Sequence, residues 1–313
     1  MTSQGVQTHE ISAAKRAAFQ VLAGGSAGFL EVCIMQPLDV VKTRIQIQAT
    51  PAVSAVSAAT AVTEVHYNGV FDCFSKMYRQ EGISSYWKGI MPPILAETPK
   101  RAIKFLVFEQ TKPLFQFGSP TPTPLTYSLA GLTAGTLEAI AVNPFEVVKV
   151  AQQADRQKKM LSTFQVARGI VQRDGLGLNG LNKGVTATMG RNGVFNMVYF
   201  GFYHSVKNVV PENNDKTLEF LRKVAIGFTA GTLACFVNIP FDVAKSRIQG
   251  PQPVPGQIKY RGTLSSMATV YREEGFRALY KGLVPKIMRL GPGGAILLLV
   301  FEYSYEYLLH NYS

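Results

Sequence analysis

One ten-residue pattern occurs three times in this chain. It reads Pro37-Leu-Asp-Val-Val-Lys-Thr-Arg-Ile-Gln46, Pro144-Phe-Glu-Val-Val-Lys-Val-Ala-Gln-Gln153 and Pro240-Phe-Asp-Val-Ala-Lys-Ser-Arg-Ile-Gln249. In each copy an acidic residue lies two positions after the proline, a lysine lies five positions after it, and a glutamine lies nine positions after it. Recurrence of one motif at intervals of about a hundred residues predicts three tandem copies of a single structural unit.

Pairs of glycines precede the three prolines at matching offsets, inside mostly apolar runs. They are Gly24 and Gly28, Gly131 and Gly135, and Gly227 and Gly231. Small residues spaced four apart let two membrane helices approach closely. Each copy also ends in a second apolar segment of roughly 20 residues or more, which is long enough to cross a hydrocarbon core. Two crossings per copy predict an all-α membrane protein with six transmembrane helices in three pseudo-symmetric repeats.

The boundaries of the copies follow from these offsets. We expect a polar N-terminal tail over 1–16 and repeats over 17–117, 118–210 and 211–313. The stretches from each proline motif to a shared Lys-Gly pair hold well over half of the chain's 32 lysines and arginines. Because positive charge marks loops that are not translocated, these three stretches are expected on one face of the membrane. An even number of crossings puts both termini on the same side.

The composition fits a membrane protein whose helices keep one face wet. Hydrophobic residues make up 47% of the chain, charged residues make up 17%, and the mean hydropathy is only +0.09. Residues that line a water-filled cavity need not be apolar. A basic soluble protein is the alternative that composition alone leaves open. The net charge of +12 favours anionic partners, but no nucleic-acid-binding motif is present, so nucleic acid is not an expected partner.

Residue clusters with catalytic or metal-binding spacing are absent from the sequence. Three cysteines, Cys33, Cys73 and Cys235, form no CxxC pair, and the four histidines are scattered, so we expect neither a disulfide framework nor a metal site. No activated nucleophile or convergent acid–base pair is visible. We therefore predict a protein that is not an enzyme and uses no cofactor.

Two further elements follow the proline motifs. An acidic-glycine pair precedes an aromatic-basic-glycine element, which reads Trp87-Lys88-Gly89, Tyr280-Lys281-Gly282 and, in degenerate form, Asn182-Lys183-Gly184. Together with the triple Px[DE]xx[KR] motif, these elements resemble the mitochondrial carrier family over residues 17–309. The resemblance implies a monomeric, multi-pass protein of the mitochondrial inner membrane with short matrix helices. It also implies that both termini face the intermembrane space and that small anions are exchanged by alternating access.

The acids and lysines of the proline motifs can close a ring. A proline inside a helix kinks it, which can bring together one end of each odd-numbered helix. In cyclic order the ion pairs are Asp39–Lys149, Glu146–Lys245 and Asp242–Lys42. The alternative is three separate surface pairs, each of little value. In the family that the motifs resemble, this ring is the matrix gate, and Gln46, Gln153 and Gln249 are its hydrogen-bonding braces.

The family's cytoplasmic gate has the pattern [FY][DE]xx[KR], which this chain matches unevenly. The three copies are Phe108-Glu109-Gln-Thr-Lys112, Tyr203-His204-Ser-Val-Lys207 and Phe301-Glu302-Tyr-Ser-Tyr305. The second copy lacks its acid and the third lacks its base. Two ion pairs remain possible, Glu109–Lys207 and Glu302–Lys112, and His204 with Tyr305 would form a weaker contact. We therefore expect a cytoplasmic gate that opens more readily than the matrix gate.

Candidate substrate residues lie thirteen positions before the second residue of each cytoplasmic motif. These positions hold Ala96, Arg191 and Arg289, at the level where members of the family bind substrate. Arginines within an apolar helix are costly and usually functional, and each guanidinium offers a planar fork that suits a carboxylate. The predicted set is completed by Lys104, Asn192, Glu97 and Thr98.

Two arginines facing one cavity favour a ligand with two carboxylates. Residues 95–102, 190–203 and 248–256 resemble the branch of the family that exchanges 2-oxodicarboxylates such as 2-oxoadipate and 2-oxoglutarate. A carrier for citrate, malate or phosphate is one alternative, and a proton-leak or interaction protein on the same scaffold is another. Glu31 and Glu138, each six positions before a proline, are either partners of cavity cations or structural contacts.

The aromatic-basic-glycine elements lie where the family binds cardiolipin. Exposed amides and the helix dipole attract phosphate at a helix N-terminus, and a turn-forming role for the glycines is compatible with lipid binding. The predicted lipid-binding residues are Trp87, Lys88, Gly89, Lys183, Gly184, Tyr280, Lys281 and Gly282.

Overall fold

A computed structural model describes residues 13–48, 66–157, 161–211, 215–252 and 257–312. Within these ranges the chain forms nine α-helices and no strand. The long helices are α1 (Ala13–Ile47), α3 (Met91–Thr111), α4 (Pro124–Ala154), α6 (Val185–Val209), α7 (Lys216–Gln249) and α9 (Leu283–Tyr312). The short helices are α2 (Val70–Glu81), α5 (Thr163–Asp174) and α8 (Thr263–Glu274). Helix α1 begins inside the segment predicted as a polar tail, and the rest of that tail lies outside the described residues.

The six long helices pack in chain order around a ring, and α9 closes the ring against α1. Each short helix packs against the first long helix of its own repeat, which is α1, α4 or α7, at the predicted matrix end where the proline motifs lie. Every third of the chain therefore contains one long helix, one short helix and a second long helix. The predicted all-α fold with three repeats and six transmembrane helices is confirmed.

Hydropathy alone identifies only part of this arrangement. Within the part of the chain that the structure describes, three helical stretches are long and apolar enough to cross a membrane: Pro124–Ala154, Thr217–Gln249 and Phe276–Tyr312. Helix α3 has 21 residues but carries four charged side chains between Glu97 and Lys104. These charges suit a helix that faces a wet cavity on one side. Its counterpart α9 in the third repeat does qualify, so the repeat identifies α3 as a crossing where its hydropathy does not.

Apolar clusters fasten two of the three short helices to the matrix end. In the first repeat, Val41 and Ile45 of α1 pack with Tyr67, Cys73 and Met77. The corresponding cluster of the third repeat also includes Ala187 of α6 in the second repeat, and its members are Ala187, Val243, Ile248, Tyr260, Val270 and Ala278. Burial of one such large side chain contributes about 1.5–3 kcal/mol. Helix α5 contains no fully buried residue, so the short helix of the middle repeat is held by less apolar contact than the other two.

The predicted close approach at paired glycines occurs between α4 and α6. A methyl group added at Gly135 would lie 2.5 Å from the carbonyl oxygen of Asn192, and one added at Gly131 would lie 2.8 Å from that of Asn196. A methyl group added at Gly24, the counterpart of Gly131 in the first repeat, would meet no described atom of another helix within 4 Å. The same sequence pattern therefore serves a tight helix contact in one repeat and leaves open space in another.

Replacing Gly135 with alanine is expected to lower the free energy of unfolding by about 1–3 kcal/mol, because the new methyl group meets backbone that cannot move without separating two helices. The measurement is thermal unfolding of the purified protein in detergent with added lipid. Gly24→Ala is the matched control and should unfold at or above the wild-type temperature, since alanine favours helix over glycine. Equal unfolding temperatures for the two variants would contradict the packing argument.

Candidate functional site

Three ion pairs join α1, α4 and α7 at the matrix end. Nζ of Lys149 lies 2.8 Å from Oδ2 of Asp39, and Nζ of Lys42 lies 3.0 Å from Oδ2 of Asp242. The third pair is formed by Lys245 and Glu146. Each pair links two different repeats in the cyclic order expected from the sequence. The contacts of the predicted ring are therefore present, and their action as a gate stays a prediction.

The three glutamines lie about one helical turn beyond the lysines and contact side chains of neighbouring repeats. The hydrogen bonds join Gln153 to Thr43 at 2.6 Å, Gln46 to Ser246 at 2.8 Å, and Gln249 to Asn143 at 3.0 Å. None of their described hydrogen bonds reaches a carboxylate of the ring. The expected role is corrected accordingly: the glutamines connect the helix ends at all three junctions between repeats and do not brace the ion pairs themselves.

A second layer of ion pairs lies beyond the ring and was missed by the sequence analysis. Glu81 accepts hydrogen bonds from Nη2 of Arg44 at 2.8 Å and from Nζ of Lys88 at 2.6 Å. Arg44 also donates to the carbonyl of Gln153 at 3.1 Å, and Lys88 donates to that of Asp155 at 2.8 Å. Burial alone would raise the pKa of Glu81, but the hydrogen bonds from Arg44 and Lys88 lower it below its usual range. This Arg–Glu–Lys triad attaches the first repeat to the end of α4.

The third repeat contains the same triad and the second does not. Lys281 lies 2.7 Å from Glu274, which also contacts Arg247, and Arg247 donates to the carbonyl of Gln46 at 2.7 Å. In the middle repeat the arginine position is occupied by Ala151. The arginine seven positions after a proline was visible in two of the three motifs, but only the fold shows what it contacts. Within the described residues, the junction between repeats two and three therefore has no Arg–Glu–Lys triad.

The triads correct part of the lipid-binding prediction. Lys88 is only 3% exposed and its ammonium group is committed to Glu81 and to backbone carbonyls. Lys281 is committed to Glu274 and to the carbonyl of Gln48. Lys183 lies 3.5 Å from the carbonyl of Gly250. Because these lysines point into the protein, they are not presented to a lipid headgroup as expected from the sequence.

The other members of the lipid-binding set shape the turn before the second long helix of each repeat, which is α3, α6 or α9. Gly89, Gly184 and Gly282 adopt φ values of +67°, +69° and +82°, which disfavour other residues. A methyl group at Gly282 would lie 2.8 Å from Cγ of Gln46 in the neighbouring repeat. Trp87 is partly exposed and donates to the carbonyl of Cys33, and Tyr280 packs against Phe276. The glycines therefore have a structural role that does not depend on lipid binding.

The predicted cytoplasmic ion pairs are not formed in this structure. Lys112 instead lies 2.6 Å from Glu109 on its own helix. No described ion pair involves Lys207 or Glu302. His204 stacks on Tyr127 with ring centroids 3.5 Å apart, and Tyr305 stacks on Phe301. Among the described residues, ion pairs join different long helices at the matrix end and at Arg289, and the cytoplasmic pairs Glu109–Lys207 and Glu302–Lys112 stay a prediction.

Both predicted arginines contact carboxylates of the matrix ring. A nitrogen of Arg191 lies 3.2 Å from Oε1 of Glu146 and another lies 3.8 Å from Oδ1 of Asp242. Nη1 of Arg289 lies 3.2 Å from Asp39, while its Nη2 lies 2.7 Å from Glu31. Nε of Arg191 is buried without a hydrogen-bond partner. The two arginines and the acids of the ring thus form one continuous network of charges.

The remaining predicted substrate residues divide into two groups. Nδ2 of Asn192 donates to Glu138 at 3.1 Å, and Lys104 lies over the ring of Phe200. Glu97 is paired with Arg101 at 2.6 Å on its own helix.

Ala96 and Thr98 do not join these polar groups. Ala96 is buried in the helix packing. Thr98 is exposed on the face that also carries Leu95 and Phe105, which are large apolar residues suited to lipid. Thr98 makes no contact with either arginine among the described hydrogen bonds and ion pairs, and its predicted role in substrate recognition stays a prediction.

A lysine that the sequence analysis overlooked lies next to the arginines. Nζ of Lys286, one turn before Arg289 on α9, lies 2.7 Å from Oδ2 of Asp242 and also contacts Asn238. Its spacing of three residues from Arg289 in an apolar helix was the available signal. The network of ring and arginines then contains six cations and four carboxylates, which leaves an excess of two positive charges. The cations are Lys42, Lys149, Lys245, Arg191, Lys286 and Arg289, and the carboxylates are Glu31, Asp39, Glu146 and Asp242.

A ring of six helices, joined by ion pairs at one end and lined with cations above them, is the architecture of a membrane carrier for small anions. The family model described as "Mitochondrial carrier protein" matches residues 14–119, 120–214 and 216–312. The chain therefore belongs to the mitochondrial carrier family, whose members are multi-pass transporters of the mitochondrial inner membrane.

Individual relatives cover almost all of the chain. The "Mitochondrial 2-oxodicarboxylate carrier" of Bos taurus is 60% identical over 94% of this chain and 95% of its own length. The Homo sapiens protein of the same name is 57% identical over 97% of this chain and 98% of its own length. The "Mitochondrial citrate transporter D" of Aspergillus niger is 41% identical over 90% of this chain and 92% of its own length.

Proposed function

We propose that this chain exchanges 2-oxodicarboxylates, such as 2-oxoglutarate and 2-oxoadipate, across the mitochondrial inner membrane. The observation that carries the proposal is the contact of Arg191 and Arg289 with protein carboxylates beside the matrix ring. A diacid offers the same chemical group twice and can therefore replace protein carboxylates at both guanidinium groups. The high identity to the cattle and human 2-oxodicarboxylate carriers supports this ligand class.

The charge of the network favours a dianion over other small anions. The six cations exceed the four carboxylates by two charges, and charge left uncompensated away from bulk water is costly. A ligand with two negative charges neutralises that excess. Fully ionised citrate carries one charge more. Citrate is nevertheless the second candidate, because a relative with 41% identity is named as a citrate transporter.

The same contacts suggest how binding is coupled to movement. A ligand carboxylate at Arg191 competes with Glu146 for that guanidinium, and one at Arg289 competes with Asp39. Each ring acid then keeps fewer cationic partners, so the matrix pairs weaken relative to the cytoplasmic pairs Glu109–Lys207 and Glu302–Lys112. A ligand can shift a conformational equilibrium only by such a difference in interaction between the two states.

Several finer features belong to the same proposal. The protein acts as a monomer, because one chain encloses the whole ring of helices, and it transports without enzymatic chemistry. Both termini face the intermembrane space, in line with the positive charge of the opposite loops. Cardiolipin binds beside Gly89, Gly184 and Gly282 through backbone amides and the helix dipole, since the adjacent lysines are engaged within the protein.

Exchange in reconstituted liposomes tests the transport proposal. Liposomes loaded with 2-oxoadipate should take up labelled 2-oxoglutarate, and uptake should stop when the internal diacid is omitted. Parallel liposomes loaded with citrate, malate or phosphate provide the comparison. If citrate or phosphate exchanged and 2-oxoadipate did not, the proposed ligand class would be wrong.

A further inference from the structure

Asp242 has two lysine partners, and only one of them comes from another repeat. Lys42 on α1 and Lys286 on α9 both contact Oδ2 of Asp242, at 3.0 and 2.7 Å. Because Asp242 lies on α7, its pair with Lys42 joins the third repeat to the first. Its pair with Lys286 stays within the third repeat. One carboxylate therefore holds a contact between repeats and a contact within its own repeat at the same time.

When the matrix end opens, we expect one of these two ion pairs to break and the other to remain. Separation of the first and third repeats breaks Lys42–Asp242, whereas α7 and α9 can move together and keep Lys286–Asp242. Leaving a buried carboxylate without its cation costs about 3–5 kcal/mol. Arg191 lies 3.8 Å from Asp242. Because Arg191 belongs to the second repeat, it does not move together with α7 and does not take the place of Lys42. Lys286 is the cation that stays.

The other ring acids show that this arrangement is not imposed by symmetry. Glu146 also has a cation in its own repeat, Arg191 at 3.2 Å. The second partner of Asp39 is Arg289, which belongs to the third repeat. At the position of Lys286 the first repeat has Pro93.

Lys286 is also poorly placed to receive a ligand. It contacts the side chain of Asn238 in addition to Asp242, and its ammonium group lies 5.7 Å from the ring centroid of Phe195. Its side chain is 14% exposed, compared with 36% for Arg289. The arginine is thus the more accessible group on this face of α9, and the lysine lies beneath it against the ring.

We propose that Lys286 is a gating residue that keeps Asp242 paired while the matrix end is open, and that it sets the rate of exchange without contacting the substrate. The inference rests on the proposed function in one respect, that the protein alternates between a matrix-closed and a matrix-open state. In the closed state Lys42 and Lys286 share Asp242. In the open state Lys286 alone neutralises it, which lowers the barrier to opening.

Exchange kinetics provide the first test. Lys286→Gln should lower the maximal rate of 2-oxoglutarate exchange about tenfold or more, equivalent to roughly 1.4 kcal/mol of barrier, while the half-saturating concentration changes by less than about twofold. Lys286→Arg should retain most of the rate because it preserves the charge. Lys223→Gln, at a half-exposed lysine on α7, is the matched control. A raised half-saturating concentration at an unchanged maximal rate would identify a substrate contact and overturn the proposal, as would unchanged kinetics.

Thermal unfolding provides a second test that does not depend on the substrate. Lys42→Gln and Lys286→Gln should each lower the unfolding temperature only slightly, because the other lysine still neutralises Asp242. The double variant removes both lysines. Its fall in unfolding temperature should exceed the sum of the falls in the two single variants by roughly 6 °C or more. Additive effects would overturn the proposal. If the two substitutions are non-additive but no 2-oxodicarboxylate is exchanged, the proposed substrate is wrong, while the shared pairing of Asp242 with the two lysines is supported.

Discussion

Replacing Arg191 or Arg289 with alanine is expected to reduce 2-oxodicarboxylate exchange about a hundredfold or more. Each arginine supplies one of the two guanidinium groups available to the ligand, and removal of one partner from a desolvated, hydrogen-bonded charge pair costs roughly 2–5 kcal/mol. Each variant also loses the competition between ligand and ring acid that couples binding to opening. Uptake of labelled 2-oxoglutarate into liposomes loaded with 2-oxoadipate measures the loss.

The controls for this experiment separate the loss of a binding group from the loss of a positive charge. Arg173→Ala removes an arginine whose side chain is 78% exposed on α5, and exchange should be unaffected. Arg191→Lys keeps the charge without the planar fork and should give an intermediate rate. Glu146 keeps Lys245 in the Arg191 variants, so the unfolding temperature should remain near that of the wild type. Normal exchange by both alanine variants would remove the two-arginine site.

Replacing Arg44 with alanine is expected to give the largest loss of stability. The guanidinium group contacts Glu81 in its own repeat and the carbonyl of Gln153 in the next, and both acceptors are buried. Glu81 would keep Lys88 at Oε2, but its Oε1 and the carbonyl of Gln153 would lose their donor. Each buried acceptor left without a donor costs about 1–3 kcal/mol, so we expect a loss of about 3 kcal/mol for the two together. This corresponds to a fall of roughly 6–12 °C in the unfolding temperature.

Arg168 on the exposed face of α5 provides the matched control, because Arg168→Ala removes the same side chain where nothing buried depends on it. Its unfolding temperature should stay within about a degree of the wild type, since exposed substitutions usually have small effects. A comparable fall in both variants would mean that the Arg–Glu–Lys triad does not hold the repeats together. Exchange should persist in Arg44→Ala at temperatures at which it remains folded.

Internal repetition explains why so much of the charged network could be predicted. Three equal spacings between an acid and a lysine leave two cyclic ways to pair them between repeats, and Asp39–Lys149 is found in the predicted one. The same comparison located Arg191 and Arg289, because the copies differ there. It does not decide the role of Thr98, because a neighbour in sequence points to another face of a helix. The expected contact of Lys88 with lipid was wrong, since the buried partner Glu81 lies in a segment whose packing the motif does not specify.

The sequence by itself determined the number of repeats, the six crossings, the members of the matrix ring and the two arginines. It could do so because each of these properties is a matter of spacing along the chain, repeated three times. Only the tertiary structure decided at which end of the bundle ion pairs link the repeats, and which cations share a carboxylate. The two lysines on Asp242 are 244 positions apart in the numbering of the chain, Lys42 and Lys286, and no local pattern connects them. Contacts of this kind are set by the packing of helices from different repeats, where the three copies are no longer equivalent.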